Sequence, residues 1–157
     1  MNYDLEYYEN LLRRYSKTAE EISRIRWDWI LEVDPKTVID YGCGIGWFRA
    51  WRPNGITVHS YDIAEYPQTG ISLQVYDVTC FYDVLEHIPD FSVIESVIRL
   101  SNYVVISLPI NNGDLAHWQH FKPGEHLHYF TEEMLLALLK QYGFHLVKKG
   151  TPECPPR

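Results

Sequence analysis

Apolar residues recur at helical spacing in the first third of the chain: Ile22, Ile25, Trp29 and Val33 fall on one face, behind a capping-box pattern of Thr18 and Glu21. The spacing predicts a helix over about 18–33, stopped by Asp34-Pro35. Shorter apolar runs follow. Residues 37–41 (TVIDY) form a strand candidate, 56–62 (ITVHSYD) alternate and end on Asp62, and 76–85 (YDVTCFYDVL) are strand-like in their first half. Between the first two, GWFRAW can open a helix that Pro53 and Gly55 keep short. After Pro89 and Asp90, a capping candidate, Val93, Ile94, Val97 and Ile98 predict another helix, and 102–110 (NYVVISLPI) then reads as a buried strand. A long loop covers 111–130. Thr131 caps EEMLLALLKQYG, Gly143 stops it, and 144–149 (FHLVKK) read as a last strand before an irregular tail.

Strands alternating with helices predict an α/β fold: three layers, Rossmann-like, around a mostly parallel open sheet of about five strands. At 157 residues the chain suits one domain, with a helical segment over 1–36, a core over 37–149 and the tail over 150–157. Ligands of such sheets sit beyond the carboxyl ends of the strands.

Charge narrows the partners. The net charge of −7 argues against nucleic acid, which needs clustered Lys and Arg, and the basic stretch from Arg13-Arg14 to Arg26 is broken by Glu20 and Glu21 and reads as a solvated helix face. Cys43, Cys80 and Cys154 are widely spaced and odd in number, as in a reducing compartment; Cys154, in a polar tail, is expected to be exposed. No apolar run reaches about 18 residues and the first ten residues are acidic, so a cytoplasmic protein without a membrane span is expected.

The stretch VIDYGCGIGWF (38–48) leaves a strand candidate through Gly42, Gly44 and Gly46 and enters a helix candidate. Missing Cβ atoms there let a ligand approach the backbone while helix N-terminal N–H groups face it. No Lys follows, which excludes a phosphate loop of the G-x-x-x-x-G-K-S/T kind, and the third glycine comes one residue too early for a dinucleotide fingerprint. Asp62, twenty residues beyond Gly42, stands where a carboxylate can accept hydrogen bonds from a ribose.

VIDYGCGIGWF, VHSYDIAEYP and YDVTCFYDVLEHIPD together resemble the first, second and fourth motifs of class I S-adenosylmethionine-dependent methyltransferases. VISLPI and EHLHYFTEEMLLALLKQYGF are similar to their fifth strand and final helix, so the resemblance spans about 37–149. It implies that Asp40 and the loop of Gly42, Cys43, Gly44 and Gly46 hold the methionine moiety, that Asp62 with Ile63 holds the ribose, and that Phe81, Tyr82 and Asp83 line the site near the sulfonium. It implies S-adenosylmethionine as cofactor, S-adenosylhomocysteine as product, and a small-molecule or protein acceptor. The rival reading is a methyltransferase-like binding or scaffold module without catalysis.

Only thirteen residues separate Asp62 from Tyr76, too few for the family's third strand with its helix, and no acid matches the one the family uses for adenine. Missing strands expose sheet edges, which a homodimer would cover. The 111–130 loop carries Trp118, Phe121, Tyr129 and Phe130 among four histidines and suits a lid over the acceptor, with Phe130 and Tyr129 expected to pack onto the last helix. His117, His120, His126 and His128 have no recognised metal-ligand spacing, so no metal is expected from them; His87, His126 and His128 are the candidate proton acceptors, while Glu86 and His87 also suit a local helix start.

Overall fold

The computed structural model describes residues 5–63, 74–111 and 113–153. Four parallel strands, β1 (Thr37–Tyr41), β2 (Thr57–Tyr61), β3 (Tyr76–Tyr82) and β4 (Ser101–Ser107), lie in the order β2-β1-β3-β4. The chain steps from β1 to β2 on one side and then to β3 and β4 on the other. The strand order therefore reverses beside β1, and the carboxyl end of β1, with its glycines, lies at the switch point where open α/β sheets bind ligands.

Side-chain alternation sorts the core into two layers. Ile39, Tyr41 and Phe81 face one way, against Ile94, Val97 and Ile98 of α3 (Ser92–Arg99), with Tyr76 at the start of β3 in the same cluster and Leu135 and Leu138 of α4 (Glu132–Gln141) packed beside them. Val38, Val58, Val78, Cys80 and Tyr82 face the other way, against Trp27 and Ile30 of α1 (Leu5–Leu31) and Phe48 of the short α2 (Trp47–Ala50). The expected three-layer arrangement is present. Thr131 caps α4 by accepting from the Met134 N–H at 3.3 Å, and Asp90 accepts from the Ser92 N–H at 2.9 Å ahead of α3.

Three expectations change. First, α1 begins at Leu5, well before Thr18, so the capping-box pattern lies inside the helix. Among its described side chains Tyr8, Ala19, Ser23, Trp27 and Ile30 are buried, and burying that long stripe outweighs one local cap. Ile22, Ile25 and Trp29 are only half-buried and Val33 is exposed, which places the packed face about one residue away from the expected one. Second, β4 is an edge strand with Asn102 and Tyr103 exposed; its apolar run is partly buried because one side of the strand has no described neighbour. Third, residues 144–149 form no strand, so the described sheet has four strands. Leu146 and Val147 are exposed, so pairing there would bury little, and the segment is held instead by Lys148 lying 3.8 Å over the Trp29 ring and Lys149 bonding Glu132 at 2.7 Å. No described strand stands between β2 and β3; residues 64–73, on which the missing-strand expectation falls, lie outside those described, as does Cys154. No helix among the described residues is long and apolar enough to cross a membrane.

Trp27 fixes α1 to the sheet. Its ring stacks on Phe48 at 4.2 Å between centroids and 6° between planes, and its Nε1–H donates to the Phe48 carbonyl at 2.8 Å. Trp27→Ala is expected to cost ~3–5 kcal/mol as a core cavity. Trp27→Phe keeps most of the stack but strands the carbonyl, at about 1–3 kcal/mol. Urea unfolding of both variants measures this; an unchanged stability in Trp27→Phe would mean that the hydrogen bond contributes nothing, and equal losses in both that the ring stack does not.

Candidate functional site

The turn after β1 is built on the neighbouring strand. The N–H groups of Gly42 and Cys43 both donate to the Tyr61 carbonyl, at 2.7 and 3.0 Å, and the Gly46 N–H returns to the Cys43 carbonyl at 2.9 Å before α2 begins. Gly42 has φ 76°, and a Cβ on it would lie 2.4 Å from Cγ2 of Val84, so close approach as well as conformation demands glycine. Gly44, at φ 52°, donates its N–H to Oδ2 of Asp62 at 2.7 Å. The Tyr8 hydroxyl donates to the other carboxylate oxygen, Oδ1, at 2.9 Å. The glycine turn and the strand-end carboxylate thus meet, as the spacing of 42–46 and Asp62 leads one to expect. Tyr8 is an addition: it lies on the helix that precedes the expected start at Thr18, and nothing in its sequence surroundings marks it.

Asp40 points to the α1 side of the sheet and is buried, with no hydrogen-bond partner for Oδ2 among the described residues. Burial pushes its carboxyl up to about 7; Arg26 pulls the other way and Asp62 adds to the rise. Arg26 is no solvated cation, contrary to the reading of its basic stretch. Its guanidinium grips Glu153 through two bonds of 2.9 Å, reaches Asp83 at 3.2 Å and lies 4.2 Å over the Tyr82 ring. The same burial, with Asp40 and Asp62 nearby, pushes the Cys43 thiol up to about 12, which makes it an inert wall rather than a nucleophile.

Other candidates divide. Asp83 is exposed at φ 56° and Tyr82 is covered by Arg26, both at the carboxyl end of β3. Phe81 is fully buried against Tyr41 on the opposite face, so its side chain belongs to the core and not to the site. Ile63 is 80 % exposed beside Asp62. A cofactor carrying an ammonium group and a ribose fits this set: the ammonium would supply the partner that Asp40 Oδ2 lacks, and the space beside Gly46 is open, with no atom within 4 Å of a Cβ placed there.

A second polar group lies just past β3. The 3-10 turn Leu85–His87 is clamped by the 111–130 loop, since the Leu127 and His128 N–H groups both donate to the Glu86 carbonyl, at 2.7 and 3.1 Å. The loop is tied at its base by Asn111 N–H to the Phe130 carbonyl at 2.8 Å. Glu86 and His126 are buried, and the rings of His87 and His126 meet edge to face at 4.8 Å. Burial pushes the Glu86 carboxyl up to about 7, and burial together with His87 and Lys122 holds His126 below the usual imidazole range. His128 is turned elsewhere: its Nε2–H donates to the Ile88 carbonyl at 2.8 Å and its ring packs on Phe91 and Phe130, so it braces the loop. His117 is exposed beside Asp114, and the four loop histidines do not converge. Trp118 and Phe121 pack on Tyr129, and Phe130 joins the core, as expected of that residue.

The chain's sequence matches a family described as a methyltransferase domain over residues 7–149. The fold is similar to the crystal structure of a candidate O-methyltransferase from Nostoc punctiforme, with a TM-score of 0.63 at 14 % identity. That likeness covers 88 % of this chain and 54 % of the other, so the chain spans about half the length of that protein. A search of curated proteins gives no match. With nearly the whole core matched, and the glycine turn and Asp62 joined at the switch point of the sheet, the chain belongs to the methyltransferase-domain family.

Proposed function

We propose that the chain binds S-adenosylmethionine at the glycine turn and transfers its methyl group to a small-molecule or protein acceptor held under the 111–130 loop. The observation that carries this reading is the 2.7 Å bond from Gly44 N–H to Asp62, which joins the bare backbone and the ribose-type carboxylate into one site. Asp40 would take the ammonium, the Gly42–Gly46 turn the methionine moiety, and Asp62 with Ile63 the ribose. Asp62 retains capacity for this, because a carboxylate offers about four acceptor positions. The cofactor supplies an electrophilic methyl on a sulfonium. The chain's own task is to align a nucleophile and exclude water. Glu86, His87 and His126, beside the end of β3, form the group that handles the acceptor's nucleophile and its proton; His128 supports their loop.

The rival, a binding module without catalysis, draws on Tyr8, whose hydroxyl already engages Asp62 and whose ring would lie 3.6 Å from a Cβ on Gly44. Turnover decides between them: S-adenosylhomocysteine released with one class of acceptor supports catalysis, and cofactor binding without release across a broad acceptor panel supports the module. The outer edge of β4 has no described strand beside it, and a second copy of the chain is the partner that would cover it on this reading. A monomer by sedimentation at high concentration would remove the dimer.

Titration calorimetry with S-adenosylhomocysteine tests the cofactor assignment. Gly44→Phe should abolish binding, and Asp62→Ala should weaken it by at least about tenfold, since each lost hydrogen bond contributes ~0.5–1.5 kcal/mol and the turn loses its anchor. Binding indifferent to both changes would contradict the assignment.

Proton linkage gives a separate check. An ammonium binds the charged form of Asp40, and that carboxyl titrates at about 7 in the folded chain. Affinity should therefore rise as pH increases from about 5.5 to 7, while the ligand's amine keeps its proton. Asp40→Asn should flatten the profile over that range, and an unchanged slope in the variant would assign the titration to another group.

A further inference from the structure

Glu86, His87 and His126 each offer one donor atom, and the three atoms lie within 4.8 Å of one another although the residues come from two segments about forty positions apart. We propose that these three residues form a binding site for a divalent first-row transition-metal ion such as zinc or manganese. The binding itself stands on the geometry alone; its use, to hold the acceptor's heteroatom in an open coordination position, rests on the methyl-transfer reading.

Two buried atoms point to a missing ligand. Glu86 is 2 % exposed and His126 6 %, yet Oε2 of the first and Nδ1 of the second have no hydrogen-bond partner. An isolated buried polar atom is costly, and two of them on residues whose donor groups converge with a third ask for one shared partner. A cation supplies it. A water can donate to both atoms, but an ion also takes the third donor of the group.

The third donor is already set up for coordination. His87 Nδ1–H donates to the Glu125 carbonyl at 2.9 Å, which fixes the tautomer and turns Nε2 toward Glu86, 4.0 Å from its Oε1. This is the outer-shell carbonyl that metal-bound histidines commonly use. For His126, Nε2 lies 4.0 Å from the Glu125 carboxylate, so Nδ1 is the nitrogen left for the ion. The Lys122 ammonium, which would oppose a cation, is paired with Glu125 at 3.1 Å.

The backbone holds these donors in place independently of the ion. The Glu86 carbonyl receives the N–H groups of Leu127 and His128, and the His126 N–H donates to the Lys122 carbonyl at 2.9 Å. Ligands around an ion at ~2.1 Å stand about 3.4 Å apart in tetrahedral geometry, so donor atoms within 4.8 Å of one another have at most about 1.4 Å to close, within reach of side-chain rotation. Two imidazoles with one carboxylate select transition metals over magnesium and calcium, which take oxygen donors. Three protein ligands leave at least one position open.

The test is equilibrium dialysis of the full chain, first stripped with a chelator, against zinc, manganese, cobalt and magnesium chlorides, followed by elemental analysis. One equivalent of a transition metal is expected, with no stoichiometric magnesium, and cobalt should give the visible absorption of a protein-bound ion. Glu86→Gln, which keeps the shape, and His126→Ala should each weaken binding at least about tenfold, as losses at metal sites do. His117→Ala, at the exposed loop position, should not. Circular dichroism checks that the variants fold; if His126→Ala fails to, Glu86→Gln and His87→Gln carry the test. Failure to bind zinc, manganese or cobalt stoichiometrically, or binding unaffected by Glu86→Gln, overturns the proposal. Metal bound with no affinity for S-adenosylhomocysteine would defeat the methyl-transfer reading and leave the metal site standing; the reverse result would leave the reading and remove the metal.

Discussion

The Tyr61 carbonyl and the Asp62 carboxylate together receive the N–H groups of Gly42, Cys43 and Gly44, and the rest of the site depends on that attachment. A three-glycine turn is costly to order, because glycine loses more backbone freedom than any other residue. Bonding it to the end of a strand that is itself held in register with β1 makes the turn rigid in the conformation a ligand would meet. Asp62 lies one residue past β2, so the turn and its carboxylate are positioned by the same ladder. Tyr8 then adds a second contact from α1, which connects the helical layer to the turn.

Two polar centres flank the carboxyl end of β3. On the α1 side, Asp40 is buried with Arg26, Asp62 and Tyr82 around it and with no hydrogen bond to Oδ2, and burial lifts its pKa. Past the strand, Glu86 carries the same signature for the same reason. The protein thus keeps two carboxyls near their neutral point within one α/β unit. Perturbed groups of this kind are concentrated at functional sites. Arg26 offsets part of the rise at Asp40, while its direct bonds go to Glu153 and Asp83.

The sequence made some of this legible and hid the rest for identifiable reasons. β1 and β2 were readable because short apolar runs end in glycine or aspartate, and α4 because Thr131 and Gly143 punctuate it. The start of α1 was not, since Thr18 and Glu21 imitate an N-terminus while the burial that extends the helix to Tyr8 is a tertiary effect. The NYVVISLPI run looked buried because composition records hydrophobicity and not the position of a strand within a sheet. The FHLVKK segment has a strand's composition but finds no surface on which to bury Leu146 and Val147. Asp40, Asp62 and the glycines could be chosen from spacing. The meeting of Glu86 and His87 with His126 could not, because nothing local announces that the 125–128 segment folds back onto the 85–87 turn, and the loop histidines suggested instead a cluster that does not form.

Amide hydrogen exchange of the full chain, with and without S-adenosylhomocysteine, tests most directly whether the glycine turn is the cofactor cradle. The account predicts that the ligand slows exchange at Gly42 to Gly46 and at Tyr61 to Ile63, with a weaker effect where α1 meets them at Tyr8. Protection that leaves 42–46 unchanged and appears elsewhere would contradict it.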